Sequence, residues 1–158
     1  MATPATIEIR KVTPRAYVGV RRTVKHDGIG PACADILPRL GEWLSAQGVA
    51  PAGPPMVVYH SVDMKTGDFD IQPALFVASP VRGEGDIIAG ETAGGEALVA
   101  LHVGPYGTLG ETWSKVFARA EALGRRVTKS SWEVYLNTPA DVAPAALRTE
   151  IYVPLDPA

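Results

Sequence analysis

Apolar residues recur along this chain in two rhythms, and the rhythms predict its elements. Ile36, Leu37, Leu40, Trp43 and Leu44 fall on one stripe at a spacing of about 3.6 residues, which predicts a helix over 30–48. Pro31 suits its first turn and Gly48 its C-terminal cap. Pro38 interrupts the pattern and predicts a kink or two shorter helices. A second stripe, Leu109, Trp113, Val116, Phe117 and Ala120, predicts a helix over 108–126, with Gly124 near its end. Alternating, β-prone runs predict strands at 7–22, 56–62, 71–81, 97–107, 131–139 and 148–155. Thr13-Pro14 breaks the first of these, and Thr66-Gly67 is a turn between the second and third.

The order strand, helix, strand, strand occurs twice. Repeat one covers about 7–81, a Gly-rich acidic linker covers 82–96, and repeat two covers about 97–155. Aligning "MVVYHS" with "WEVYLN" sets Val57 opposite Glu133 and Tyr59 opposite Tyr135. Aligning "PALFVAS" with "TEIYVPL" sets Ala74 opposite Glu150 and Phe76 opposite Tyr152. The expected fold class is α+β. It is a tandem repeat of two such units related by a pseudo-two-fold axis, with antiparallel sheets around a central groove.

Composition narrows the function. The 158 residues are 46% hydrophobic and 20% charged, enough for one folded domain with its own core. A net charge of −2 gives no electrostatic footprint for nucleic acid. The single cysteine, Cys33, excludes an internal disulfide and fits a reducing compartment. The N-terminus lacks a signal-peptide pattern, and no apolar run reaches the length of about 18 residues needed to span a bilayer. A cytoplasmic location and no membrane partner are expected. His26, His60 and His102 have no metal-ligand spacing, Cys33 has no histidine nearby in sequence, and the Gly-rich linker has no phosphate-loop lysine. No metal or cofactor is expected.

Candidate chemistry centres on "SSWEVYLNTP" (130–139), which sets one carboxylate, Glu133, in a β-prone run. On a strand Glu133 and Tyr135 share one face, and Trp132, Val134 and Leu136 share the other. The apolar set is expected against the helices, which leaves Glu133 and Tyr135 either on a solvated face or on the floor of a pocket. The same expectation turns Glu150 and Tyr152 of the last strand toward the groove. The aligned register adds Val57, Tyr59, Ala74 and Phe76. Aromatic faces attract cations and stack flat rings at roughly 0.5–2 kcal/mol per contact, and a carboxylate among them supplies the counter-charge. Tyr106 either reaches the groove or packs on the sheet. Trp43 and Trp113 sit on apolar helix stripes, where core packing is the default.

The stretches "HVGPYGTLGETWSKVF" (102–117), "WEVYLNTP" (132–139) and "LRTEIYVPL" (147–155) together resemble the GyrI-like small-molecule-binding domain. "GPPMVVYHSVDMKTGDFDIQPALFV" (53–77) also fits, and the likeness runs from about Ile7 to Asp156. The resemblance implies a groove whose walls include the helices, and so Trp113. It implies ligands that are flat, apolar and cationic, and a pocket acid that maps onto Glu133. It also implies two kinds of relative. In some the domain is fused to the DNA-binding modules of multidrug-sensing transcription activators. In others it stands alone, as in DNA gyrase inhibitory proteins, and this chain looks like the standalone form. Some standalone relatives are similar to hydrolases that open cyclopropane rings, which makes Glu133 a candidate general base. The expected partner is a small molecule. A regulator or gyrase partner would follow from the resemblance alone.

Overall fold

The computed structural model describes residues 6–157. The chain begins with strands β1 (Thr6–Val12), β2 (Ala16–Gly19) and β3 (Arg22–Val24), followed by helix α1 (Ile29–Ala46). Strands β4 (Met56–Asp63), β5 (Asp68–Phe76), β6 (Ile88–Glu91) and β7 (Gly95–Val103) come next. Helix α2 (Leu109–Ala122) and strands β8 (Ser131–Tyr135) and β9 (Arg148–Pro154) complete it. Among the described residues the fold is α+β, with antiparallel strand pairing and two α-helices. Two compact units divide the described residues: Pro14–Thr92, and 6–13 with 93–157.

In the unit Pro14–Thr92 the strand order is β4-β5-β2-β6, with β3 also on β5. The Gly-rich stretch expected to be a plain linker contributes β6, which pairs with β2 from Ala16↔Glu91 to Gly19↔Ile88. Without it β2 would end the sheet with unpaired backbone groups. Helix α1 turns Ala32, Ile36, Leu40 and Leu44 inward. It runs through Pro38 as one element, contrary to the expected break. Pro38 lies on the exposed side, so the carbonyl it leaves without a donor belongs to exposed Ala34 and can be hydrated.

Both helices end in the same way. Gly48 and Gly124 have φ of 72° and 67°, a left-handed conformation that a side chain resists. Around Gly48, the N–H of Val49 donates to Leu44 O and that of Gly48 to Ser45 O. Around Gly124, the N–H of Arg125 donates to Ala120 O and that of Gly124 to Glu121 O. These paired bonds satisfy the last carbonyls of each helix.

The other unit has the strand order β1-β7-β9-β8. The run predicted as one strand over 7–22 splits at Thr13-Pro14, and its first part pairs with β7. Ile7 faces Ala100 in that register and packs on the core of this unit. That core joins Leu98, Ala100, Ile151 and Val153 of the sheet to Leu109, Val116 and Ala120 of α2. Each fully buried Val, Leu or Ile there contributes roughly 1.5–3 kcal/mol. Phe117, expected on the inward stripe, is 45% exposed, and Thr112 is buried instead. Among the described residues no helix is long and apolar enough to cross a membrane.

Candidate functional site

Strand β8 alternates as expected, but its faces are the reverse of the expectation. Residues directly paired across antiparallel strands share a face. Glu133 pairs with Ile151, a core residue beneath α2, and Tyr135 pairs with Thr149. Glu133 and Tyr135 therefore lie on the helix side. Trp132 pairs with Tyr152 and Val134 with Glu150, so these four share the opposite face. There the rings of Trp132 and Tyr152 stack with centroids 5.1 Å apart and planes at 6°, and Tyr152 O–H donates to Glu150 at 3.1 Å. Glu150 and Tyr152 thus do not share a face with Glu133. Leu136, expected against a helix, lies just past the end of β8 and is exposed.

Glu133 is 2% exposed. Its Oε2 accepts the indole N–H of Trp113 at 2.9 Å, and its Oε1 accepts the O–H of Tyr135 at 2.6 Å. These two donors come from α2 and from β8 itself, so helix packing and strand alternation together build the carboxylate's surroundings. Burying a carboxylate is costly unless its oxygens are hydrogen-bonded, and each bond to a charged group returns about 1.5–3 kcal/mol. Trp113 and Tyr135 are both neutral donors.

Each of the two donor rings meets a further aromatic ring. Tyr106 meets Tyr135 edge-on, with centroids 5.8 Å apart and planes at 72°. Phe117, one turn along α2 from Trp113, stacks with it at 5.9 Å and 23°. Tyr106 is 40% exposed, so two rings of the set are open to solvent. The structure thus brings together Glu133, Tyr135, Tyr106 and Trp113 of the expected residues. Phe117 joins them, although its place on an apolar stripe had marked it as core.

The loop that carries Tyr106 is held by a residue the sequence reading weighed only as a metal ligand. His102 of β7 is buried, with Nδ1 2.7 Å from Thr112 Oγ1 and Nε2 3.2 Å from Pro105 O. A carbonyl only accepts, so any bond to Pro105 O is donated by Nε2–H, and Thr108 Oγ1 also lies 3.2 Å from that nitrogen. Pro105 precedes Tyr106 and Thr112 precedes Trp113. One imidazole therefore ties down the neighbours of both aromatic residues. The signal in the sequence was a histidine two residues before Gly-Pro-Tyr on a strand.

Val57, Tyr59 and Phe76 belong to the unit Pro14–Thr92. Val57 pairs with Pro73 and Tyr59 with Ile71, on one face, while Phe76 alternates to the other, so the three do not line a common face as expected. Val57 is fully buried. Tyr59 meets Phe69 edge-on at 6.4 Å. Phe76 is buried beneath the guanidinium of Arg15, 3.7 Å from the ring centroid. Among the described residues no group of three or more His, Cys, Asp or Glu could hold a metal ion.

The structure is similar to solved structures of known proteins. The C-terminal domain of EcmrR superposes with a TM-score of 0.81 at 20% identity, over 99% of this chain and 100% of that one. EcmrR in its DNA complex gives 0.85 at 21%, and the match covers 98% of this chain but only 58% of that one. SAV2435 bound to tetraphenylphosphonium gives 0.69 at 12%, over 96% and 94% of the two chains. A hydrolase from Listeria innocua encoded by lin2189 gives 0.64 at 16%, over 95% and 91%. At these identities the likeness is one of fold. No curated protein sequence matches the chain. The family model of the GyrI-like small molecule binding domain matches residues 5–156, and the chain belongs to that family.

Proposed function

We propose that this domain binds small, amphipathic, aromatic cations on the α2 side of β8, with Glu133 as the counter-charge. The observation that carries the reading is a carboxylate, 2% exposed, that accepts from two neutral donors within a set of four aromatic rings. Such a place favours a delocalised, weakly hydrated cation over a small hydrated one, because the rings contribute roughly 0.5–2 kcal/mol each once water is excluded. Tyr106 and Phe117 are the half-open rings through which a ligand would enter. SAV2435, similar in fold, has been solved with tetraphenylphosphonium, which recommends that ion as a first probe. The tandem-repeat reading is part of the same proposal and rests on element order along the chain.

A titration of the three tryptophans' fluorescence with tetraphenylphosphonium tests the reading. Saturable quenching, with the ligand recovered at unchanged mass, supports it. No binding of this ion or of any flat aromatic cation overturns it. The hydrolase reading makes a separate prediction: a cyclopropane-bearing electrophile would gain the mass of water. The transcription and gyrase readings stay outside the proposal, since the site residues do not bear on them.

A further inference from the structure

One buried polar atom on the face of Glu133 has no hydrogen-bond partner among the described residues. Thr149 of β9 is fully buried, and its Oγ1 makes no hydrogen bond. The register sets Thr149 directly between Tyr135 of β8 and His102 of β7. Both neighbours are engaged elsewhere, Tyr135 with Glu133 and His102 with Thr112 and Pro105. An interior hydroxyl without a partner is destabilising, and native structures hold few of them. Glu133 and Thr149 are diagonal neighbours across the β8–β9 pair, and such positions stand about 7–8 Å apart. A fused-ring cation can span that distance.

We propose that Thr149 Oγ1 is a hydrogen-bonding group of the ligand site, and that the preferred ligand is a flat cation bearing an N–H at its ring edge. The N–H donates to Thr149, and the delocalised charge faces Glu133. This deepens the cation-binding reading and rests on it. It adds a selection that charge and aromatic surface alone do not make. Ring cations with amino or amidinium groups would be preferred over cations that present only hydrocarbon.

Two probes of equal charge separate these cases. Proflavine carries amino groups on a fused ring; tetraphenylphosphonium has no N–H or O–H. Dissociation constants for both would be measured on wild type, Thr149→Val and Thr149→Ser. The proposal predicts that preference for proflavine over tetraphenylphosphonium falls about tenfold in Thr149→Val, the size of one lost hydrogen bond, and is kept in Thr149→Ser. It also predicts a higher melting temperature for Thr149→Val, which removes the unpaired hydroxyl at nearly constant shape. An unchanged preference, or a lower melting temperature in Thr149→Val, overturns the assignment while leaving the cation-binding reading in place. If neither cation binds wild type, that parent reading fails and the Thr149 assignment falls with it.

Discussion

The indole N–H of Trp113 donates to the carboxylate of Glu133 at 2.9 Å, joining helix α2 to strand β8. This bond puts the acid on the helix side of its sheet. It also makes α2 part of the site.

Replacing Trp113 with Phe removes that donor and keeps most of the apolar surface. Loss of a hydrogen bond to a buried charged group costs about 1–3 kcal/mol. Urea unfolding of Trp113→Phe should show a lower midpoint with an unchanged slope. An unchanged midpoint would mean that the bond contributes nothing to stability.

The two faces of β8 give a second prediction. Glu150 lies on the face opposite Glu133 and accepts from Tyr152 beside the Trp132 stack. Glu150→Gln should therefore change cation affinity far less than the matching change at Glu133. Equal losses in the two variants, measured by the same titration, would contradict the facing described above.

Helix ends give a third. A Cβ added at Gly48 or Gly124 would meet nothing within 4 Å, so the only penalty is the left-handed backbone. Gly48→Ala and Gly124→Ala should each cost about 1–2 kcal/mol. Because the sites belong to different helices, the double variant should lose close to the sum. Thermal or urea unfolding of the three proteins checks both statements.

Tyr17 supplies a pH dependence. Burial holds its phenol above the ordinary tyrosine range, and the nearby positive charge of Arg21 offsets this in part. A folded-state value raised above the unfolded one means that stability is intact below the unfolded value of about 10 and is lost as pH rises through the folded one. Melting temperature should therefore fall more steeply above pH 10 in wild type than in Tyr17→Phe. Parallel profiles would rule this contribution out.

Much of this architecture was legible in the residues. The helices were, because their stripes end in Gly48 and Gly124, and a glycine in that position stops a helix for a backbone reason. Alternation on β8 was legible too, since a strand must separate Glu133 and Tyr135 from Trp132 and Val134. Which face meets the helix was not. Trp132, Val134 and Glu133 are all buried, so hydrophobicity does not distinguish the helix side. An acid can face a helix when an indole N–H and a phenol O–H reach it, and donors distant in sequence leave no local trace. The partner of β1 was hidden for a similar reason. An alternating strand does not specify its neighbour, and Ile7 pairs with Ala100 across more than half the chain. Pro38 misled because its cost depends on whether the carbonyl it orphans is wet or buried.

The most direct test is calorimetric titration of tetraphenylphosphonium into wild type and Glu133→Gln. Glutamine keeps the shape and an acceptor oxygen but removes the charge. The account predicts a loss of at least tenfold in affinity for the cation, with the variant folded and no less stable than about 2 kcal/mol below wild type. Equal affinity in the two proteins would contradict a charge-pairing role for Glu133.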